Sequence, residues 1–390
     1  MAGKRAGCAV AFLALALRGT LCAEEVSDAR RRFIKGSIAD KTAAVRESSG
    51  SERQLAESGL DFVIAYQPLL GGDRDLAALA VASALALPRT GDVEYATRIT
   101  GKLVKVFQLF SDENVRIAVL DRMVPLAAAA RSTQAVGLMN DYLATSAHDA
   151  AEASPVQLAV LTALGTVGDS ASLSIVYALW RERRWEAHTA QLEETLVHLS
   201  EAHTTDAIGM AMRASLTEME AYFDVLMRGA EKTQNFRAEL AENVLSRTIH
   251  SRSDSAGGTS LARLQISALH VIAETKWMRA SQLVIRYFAL AREEYENGAL
   301  SEPQFLDVIA CVARLASPEA AAALESYLSE LNGATAAGGS LAKPVVLAVI
   351  SALGELGDKA AFDTLLYVTY LSYPNEVVRA ARDALARLKW

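Results

Sequence analysis

Three histidines, one serine–lysine spacing and two aromatic clusters are the places in this chain where side-chain chemistry could gather. His188, His198 and His203 stand close to Glu193, Glu194 and Asp206. On one helix Glu194 and His198 share a face at i, i+4, while His198 and His203, five apart, do not. A helical zinc site needs a His-Glu-x-x-His run, which is absent, so these groups read as surface or internally satisfied side chains. Ser340 and Lys343 have the spacing in which a lysine deprotonates an acyl-accepting serine. The companion Ser-Asp-Asn and Lys-Thr-Gly signatures are missing, and Gly338-Gly339 before and Pro344 after make this stretch a loop. The chain has no Gly-x-Ser-x-Gly elbow, no Gly-x-x-x-x-Gly-Lys loop and no Gly-x-Gly-x-x-Gly turn. The expectation is a non-enzymatic protein with no catalytic residues, no cofactor and no metal.

Recognition has more residues to work with. Trp180-Arg181-Glu182-Arg183-Arg184-Trp185 is the densest polar-aromatic run, and Trp and Arg are the side chains most enriched at interface hot spots. Two readings stand: a partner-binding patch, or Trp180 in the core with the arginines close to a helix C-terminus. Tyr367, Tyr370 and Tyr373 form a second cluster, the first two at i, i+3 on one helix. These either pack between helices or meet a partner. The candidate protein-binding residues are Trp180, Arg181, Arg183, Arg184, Trp185, Tyr367, Tyr370 and Tyr373.

Helices must carry these clusters. Residues 155–169 read PVQLAVLTALGTVGD and residues 344–358 read PVVLAVISALGELGD, ten of fifteen positions identical, 189 residues apart. Such self-similarity marks a repeat architecture, in which a helical hairpin buries its apolar face by stacking on copies of itself. Apolar residues recur three and four apart from about Leu60 onward, as in Val115-Val119-Met123-Leu126 and Leu306-Ile309-Val312-Leu315. Taking Leu85, Met123, Leu164, Leu199, Leu269, Val312 and Leu353 as equivalent gives steps of 38, 41, 35, 70, 43 and 41. The step of 70 spans a degenerate unit in 205–250. Apolar residues make up 51% and aromatics only 6%, so Ala, Leu and Val carry the burial and suit close-packed helices. No proline interrupts Val156 to Glu302.

Within the repeated phrase, Gly357 suits the left-handed residue that ends a helix and Asp358 the cap of the next, and Gly168 and Asp169 are expected to do the same. A second helix is expected over Lys359–Leu371 and a further one over Val377–Leu388, with Arg379, Arg382, Arg387 and Lys389 on its wet side, closing the stack. Ile249–Thr259 and Asn332–Ser340 have loop composition.

The first residues resemble an export signal: Lys4 and Arg5 precede the apolar run Cys8–Leu17, which is too short to span a bilayer. Two fates are open, cleavage after Ala23 and lipidation at Cys22. Cleavage removes three positive charges (Lys4, Arg5 and Arg18) and takes the formal charge from −7 to −10, away from the basic footprint of a nucleic-acid binder. It also leaves Cys311 alone in an apolar run, a buried thiol rather than a disulfide or metal ligand. No second run is long and apolar enough to span a membrane. The segments are then a signal peptide (1–23), a polar N-terminal extension (24–59) with Arg30-Arg31-Arg32 on a solvated face, and two halves of a helical stack (60–250 and 260–390).

The runs ALGELGDKAAFDTLL (352–366), PNEVVRAARDALARL (374–388), ALGTVGD (163–169) and SDENVRIAVLDRM (111–123) resemble the HEAT-repeat family. The likeness is good at the C-terminus, moderate over 111–200 and poor over 205–260. It implies an all-α, right-handed α-solenoid of stacked helical hairpins that binds partner proteins along a curved surface. With the export signal, this makes the expected function a protein-interaction scaffold of the bacterial envelope, periplasmic or secreted, whose partner is another envelope protein or a peptide. Some relatives sharing the repeat are lyase-type proteins that attach bilin chromophores. An envelope enzyme or enzyme accessory is therefore one alternative, and a membrane-tethered structural lipoprotein another.

Overall fold

A computed structural model describes residues 28–48, 53–147, 152–229, 233–251, 258–339 and 342–389. Residues 1–27, on which the expected signal peptide and Cys22 fall, and Ser340 lie outside the described residues. The fold is all-α. Among the described residues no strand forms, only an isolated bridge between Asp358 and Lys389, where the Lys389 amide donates to the Gly357 carbonyl at 2.9 Å. No described helix is long and apolar enough to cross a membrane. The chain divides into two compact units, one up to residue 203 and one from 204.

The first unit contains α1 (28–35), α2 (Ile38–Glu47), α3 (Arg53–Leu70), α4 (Arg74–Ala86), α5 (Val93–Leu109), α6 (Glu113–Ala130), α7 (Thr133–Ser146), α8 (Pro155–Val167), α9 (Ser170–Arg181) and α10 (Thr189–Ala202). Their starts are written in the sequence. Asp73, Asp92, Asp112, Ser132, Ser154 and Asp169 each accept a hydrogen bond from a free amide of the first turn. The packing is solenoid-like. Even-numbered helices α2, α4, α6, α8 and α10 lie side by side in one layer, and α3, α5, α7 and α9 lie in the other. Residues 38–47 belong to this stack: Ala44 and Val45 are fully buried, and the Lys41 ammonium sits over the rings of Phe33 and Phe62.

The second unit contains α11 (Thr204–Arg213), α12 (Leu216–Gly229), α13 (Gln234–His250), α14 (Gly258–Glu274), α15 (Ser281–Glu296), α16 (Glu302–Arg314), α17 (Pro318–Ala336), α18 (Lys343–Leu356), α19 (Phe362–Val368) and α20 (Asn375–Leu385). Here α12, α14, α16, α18 and α20 form one layer and α11, α13, α15, α17 and α19 the other. The two copies of the repeated phrase are α8 and α18, each in the even layer of its own unit and each with a proline in its first turn. The break expected over Ile249–Thr259 falls between α13 and α14 but is shorter, since Ile249 and His250 end α13 and Gly258 and Thr259 open α14, with 252–257 outside the described residues.

Hydrogen bonds and ion pairs between neighbouring hairpins, made from helices and from the turns that follow them, keep the repeat length. Arg98–Glu57, Gln191–Leu158, Arg263–Glu220, Trp277–Glu242, Arg292–Glu330 and Tyr373–Asn332 join residues 33 to 43 positions apart. Each side chain reaches one hairpin along and no farther, as stacking of nearest neighbours requires.

Four local expectations are corrected. Leu85 is 43% exposed, whereas Met123, Leu164, Leu199, Leu269, Val312 and Leu353 are buried; α4 turns Leu79 and Ala84 inward instead. The Asn332–Ser340 stretch is helical to Ala336, because Asn332 is buried and its amide donates to the Thr364 carbonyl of α19 at 3.1 Å. The segment after Asp358 is a short 3-10 turn followed by α19, which ends at Val368 rather than Leu371, and α20 stops at Leu385 rather than Leu388. Gly168 does not adopt a left-handed conformation: its φ is −65°, whereas Gly357 has φ +66°.

Candidate protein-binding surface

The Trp180–Trp185 run is a tight turn between α9 and α10. After Arg181 the backbone passes through positive φ at Arg183 (53°) and Trp185 (54°), which is uncommon outside glycine and is maintained by surrounding structure. The turn folds Trp185 into the core, 2% exposed, with its indole Nε1 lacking a hydrogen-bond partner. Trp180 is half-buried against Tyr177, ring centroids 5.8 Å apart. The tryptophan expected inside is thus the half-exposed one, and the ring of Trp185 is removed from the surface altogether. Arg181 and Arg183 are exposed, and Arg184 lies 3.4 Å from Glu182, the carboxylate also nearest Arg181. What remains outside is a local ion-pair cluster, and such exposed pairs contribute little energy.

The tyrosine cluster keeps more of its surface. Tyr367 is 48% and Tyr370 76% exposed. Tyr373 is half-buried, and its hydroxyl donates to Asn332 Oδ1 at 3.1 Å. Burial raises the Tyr373 hydroxyl pKa above its usual value, against a lowering contribution from a hydrogen bond with Thr335. Beside it lies a cavity of about 130 Å³ lined by Thr335, Gly339, Lys343, Val346, Ser372, Tyr373, Pro374 and Val377. Lys343, the lysine of the Ser-x-x-Lys spacing, pairs with Glu376 of α20.

Helix α20 is strongly two-faced. Val377, Ala381 and Ala384 are buried while Arg379 and Arg382 are exposed, and in the turn after the helix Leu388 is buried while Arg387 and Lys389 are exposed. None of these four cations has a carboxylate partner among the described residues. The Glu376–Lys343 pair turns one flank of α20 to α18, and the close approach of Ala384 to Gly354 supports the same orientation. Val378, Arg382 and Leu385, at i, i+4 and i+7, occupy the flank turned away from α18, and both apolar members are half-exposed. On α19, Thr364 faces α17, where its hydroxyl bonds Glu325 and its carbonyl accepts from Asn332. Leu366, half-exposed, lies on the opposite side of that helix. The sequence reading found the cations of this surface and missed its apolar strip; a helical wheel of 375–388 carries the signal.

The histidines stay apart in their roles. His203 Nε2 donates to the Gly168 carbonyl at 3.2 Å, and His198 is exposed on α10. Among the described residues no group of three or more His, Cys, Asp or Glu side chains could hold a metal ion. Cys311 is buried, 3.5 Å from His270 Nδ1, and desolvation pushes its thiol pKa up to about 11, which keeps it protonated and unreactive.

No protein-family model matches the chain, and no curated protein matches it.

Proposed function

We propose that this protein is a non-enzymatic interaction scaffold of the bacterial cell envelope, a right-handed HEAT-like α-solenoid that recognises another envelope protein or peptide. The observation that carries this reading is the exposed surface of α19, α20 and the turn between them, which holds Tyr367 and Tyr370 as well as Arg379 and Arg382, both arginines without a carboxylate partner among the described residues. Large aromatic and guanidinium groups left on a surface are the side chains that contribute most to protein interfaces. The repeated phrase at α8 and α18 and the bonds spanning one repeat length support the solenoid part of the reading. The export-like N-terminus supports the address.

A photo-crosslinking residue placed at Tyr370, with a control at exposed Thr162 on α8, tests the proposal in cells. One discrete, stoichiometric adduct from position 370 and none from 162 is expected. Absence of any discrete adduct from positions 180, 183, 367 and 370 together overturns it.

A further inference from the structure

The flank of α19 and α20 just described has two properties that together select one kind of occupant. It is apolar along its middle, where Leu366, Val378 and Leu385 are half-exposed. It is cationic along its edge, where Arg379 and Arg382 have no ion-pair partner among the described residues; of the exposed carboxylates on α20, Glu376 pairs with Lys343 and Asp383 pairs with neither arginine. Elsewhere in this unit Arg263, Arg279 and Arg292 are answered from about one hairpin away, by Glu220, Glu242 and Glu330. Exposed Arg213, Arg286 and Arg314 have no ion-pair partner among the described residues; what marks this flank is that its cations border an apolar strip. A helix laid on this flank would stand to α19 and α20 as these stand to α17 and α18, with its own carboxylates opposite Arg379 and Arg382.

We infer that this flank docks an amphipathic helix of a partner protein whose apolar stripe is edged with Asp and Glu. The inference rests on the scaffold reading and specifies its partner. Helix-in-groove recognition reads an apolar stripe at i, i+3, i+4 and i+7, and flanking charge sets orientation and excludes wrong partners. A second copy related by two-fold symmetry is disfavoured, because an isologous contact sets Arg379 and Arg382 near their own counterparts.

The test uses the full chain and two designed helical peptides with the same leucine stripe, one edged with Glu and one with Lys, read by fluorescence anisotropy. The Glu peptide is expected to bind saturably and to weaken with added salt. Arg379→Glu with Arg382→Glu, both on exposed positions, should weaken it at least about tenfold, as should Leu385→Asp, with circular dichroism confirming that both variants remain helical. The Lys peptide should not saturate. Equal binding of the two peptides, or no binding of either, overturns the inference. So does a sedimentation result showing that the unmodified protein is a dimer that Leu385→Asp disperses. Cross-linked adducts from positions 180 or 183 would survive that failure, so the scaffold reading and this partner class fail separately.

Discussion

Asn140 Nδ2 donates to Asp169 Oδ1 at 3.1 Å, tying the middle of α7 to the first residue before α9. The same asparagine accepts from the Ser172 hydroxyl at 2.7 Å, and Ser172 in turn donates its amide to Asp169. In the second unit Asn332 does the corresponding work between α17 and α19, donating to the Thr364 carbonyl and accepting from Tyr373. Both asparagines are buried, and both sit in the odd layer one helix before the repeated phrase. A buried amide with both ends satisfied fixes how far one helix slides along the next, because any shift leaves a polar group unpaired.

Asp169 should therefore be a pH-dependent fastener. Burial raises its pKa, but hydrogen bonds from Ser172, Asn140 and the Ala171 amide outweigh that and hold it below the ordinary 3.8. A depressed carboxylate contributes stability that is fully present above its unfolded value and is lost as pH falls from there through the folded value. Asp169→Ala removes a helix cap and should cost about 1–2 kcal/mol near neutral pH. Urea midpoints of the variant and the unmodified protein should converge below the ordinary aspartate range. An undiminished gap in acid contradicts the assignment.

Arg247 stabilises the short helix α11 by a different device. Its guanidinium donates to the carbonyls of Ala211, Met212 and Ala214 at 2.9, 2.6 and 2.6 Å, the groups a helix C-terminus leaves unsatisfied. Arg247→Met should lose about 1–3 kcal/mol and speed amide exchange across 204–213 more than elsewhere. Arg247→Lys should recover only part, since an ammonium lacks the planar fork.

How far the sequence foretold this depended on whether a residue's role was local or shared. The periodicity of Val115-Val119-Met123-Leu126 places buried positions on α6 correctly because three- and four-residue spacing is a property of one helix. Caps such as Asp112 and Ser154 are legible for the same reason. Leu85 misled because hydrophobicity does not report which face a helix turns inward. Among the site residues, Tyr367 and Tyr370 were read as a pair and are exposed together, whereas Trp185 was assigned to a surface that a backbone turn takes it away from. That Arg379 and Arg382 have no ion-pair partner among the described residues depends on what the neighbouring helices offer, and no single-helix pattern contains that.

Trp185 tests the difference between a buried ring and a binding ring. Its truncation to Ala should cost about 3–5 kcal/mol, the range for emptying a large core site. Trp185→Phe should cost much less, because the indole Nε1 has no partner to lose. Neither substitution should alter Glu-peptide binding in the folded fraction. Unchanged thermal stability of Trp185→Ala would return the ring to the surface.

The two glycines that close the repeated phrase should answer the same substitutions differently. Gly357 is glycine because of its backbone: φ is +66°, a region that costs an L-residue about 1–2 kcal/mol. Asparagine tolerates that region better than alanine does, so Gly357→Asn should be the milder change. Gly168 is glycine because of its neighbours. Its φ is ordinary, but an added Cβ would strike the Leu164 carbonyl oxygen and come within 2.7 Å of Leu199 Cδ2 on α10 and 2.9 Å of Ser172 Cβ. Alanine there must shift the backbone where α8 ends and displace the Leu199 side chain, and asparagine, being larger, should be worse still. Thermal unfolding of the four variants should rank Asn above Ala at 357 and Ala above Asn at 168. A common order at both positions would mean that the two copies of the phrase end their helices in the same way, contrary to the structure.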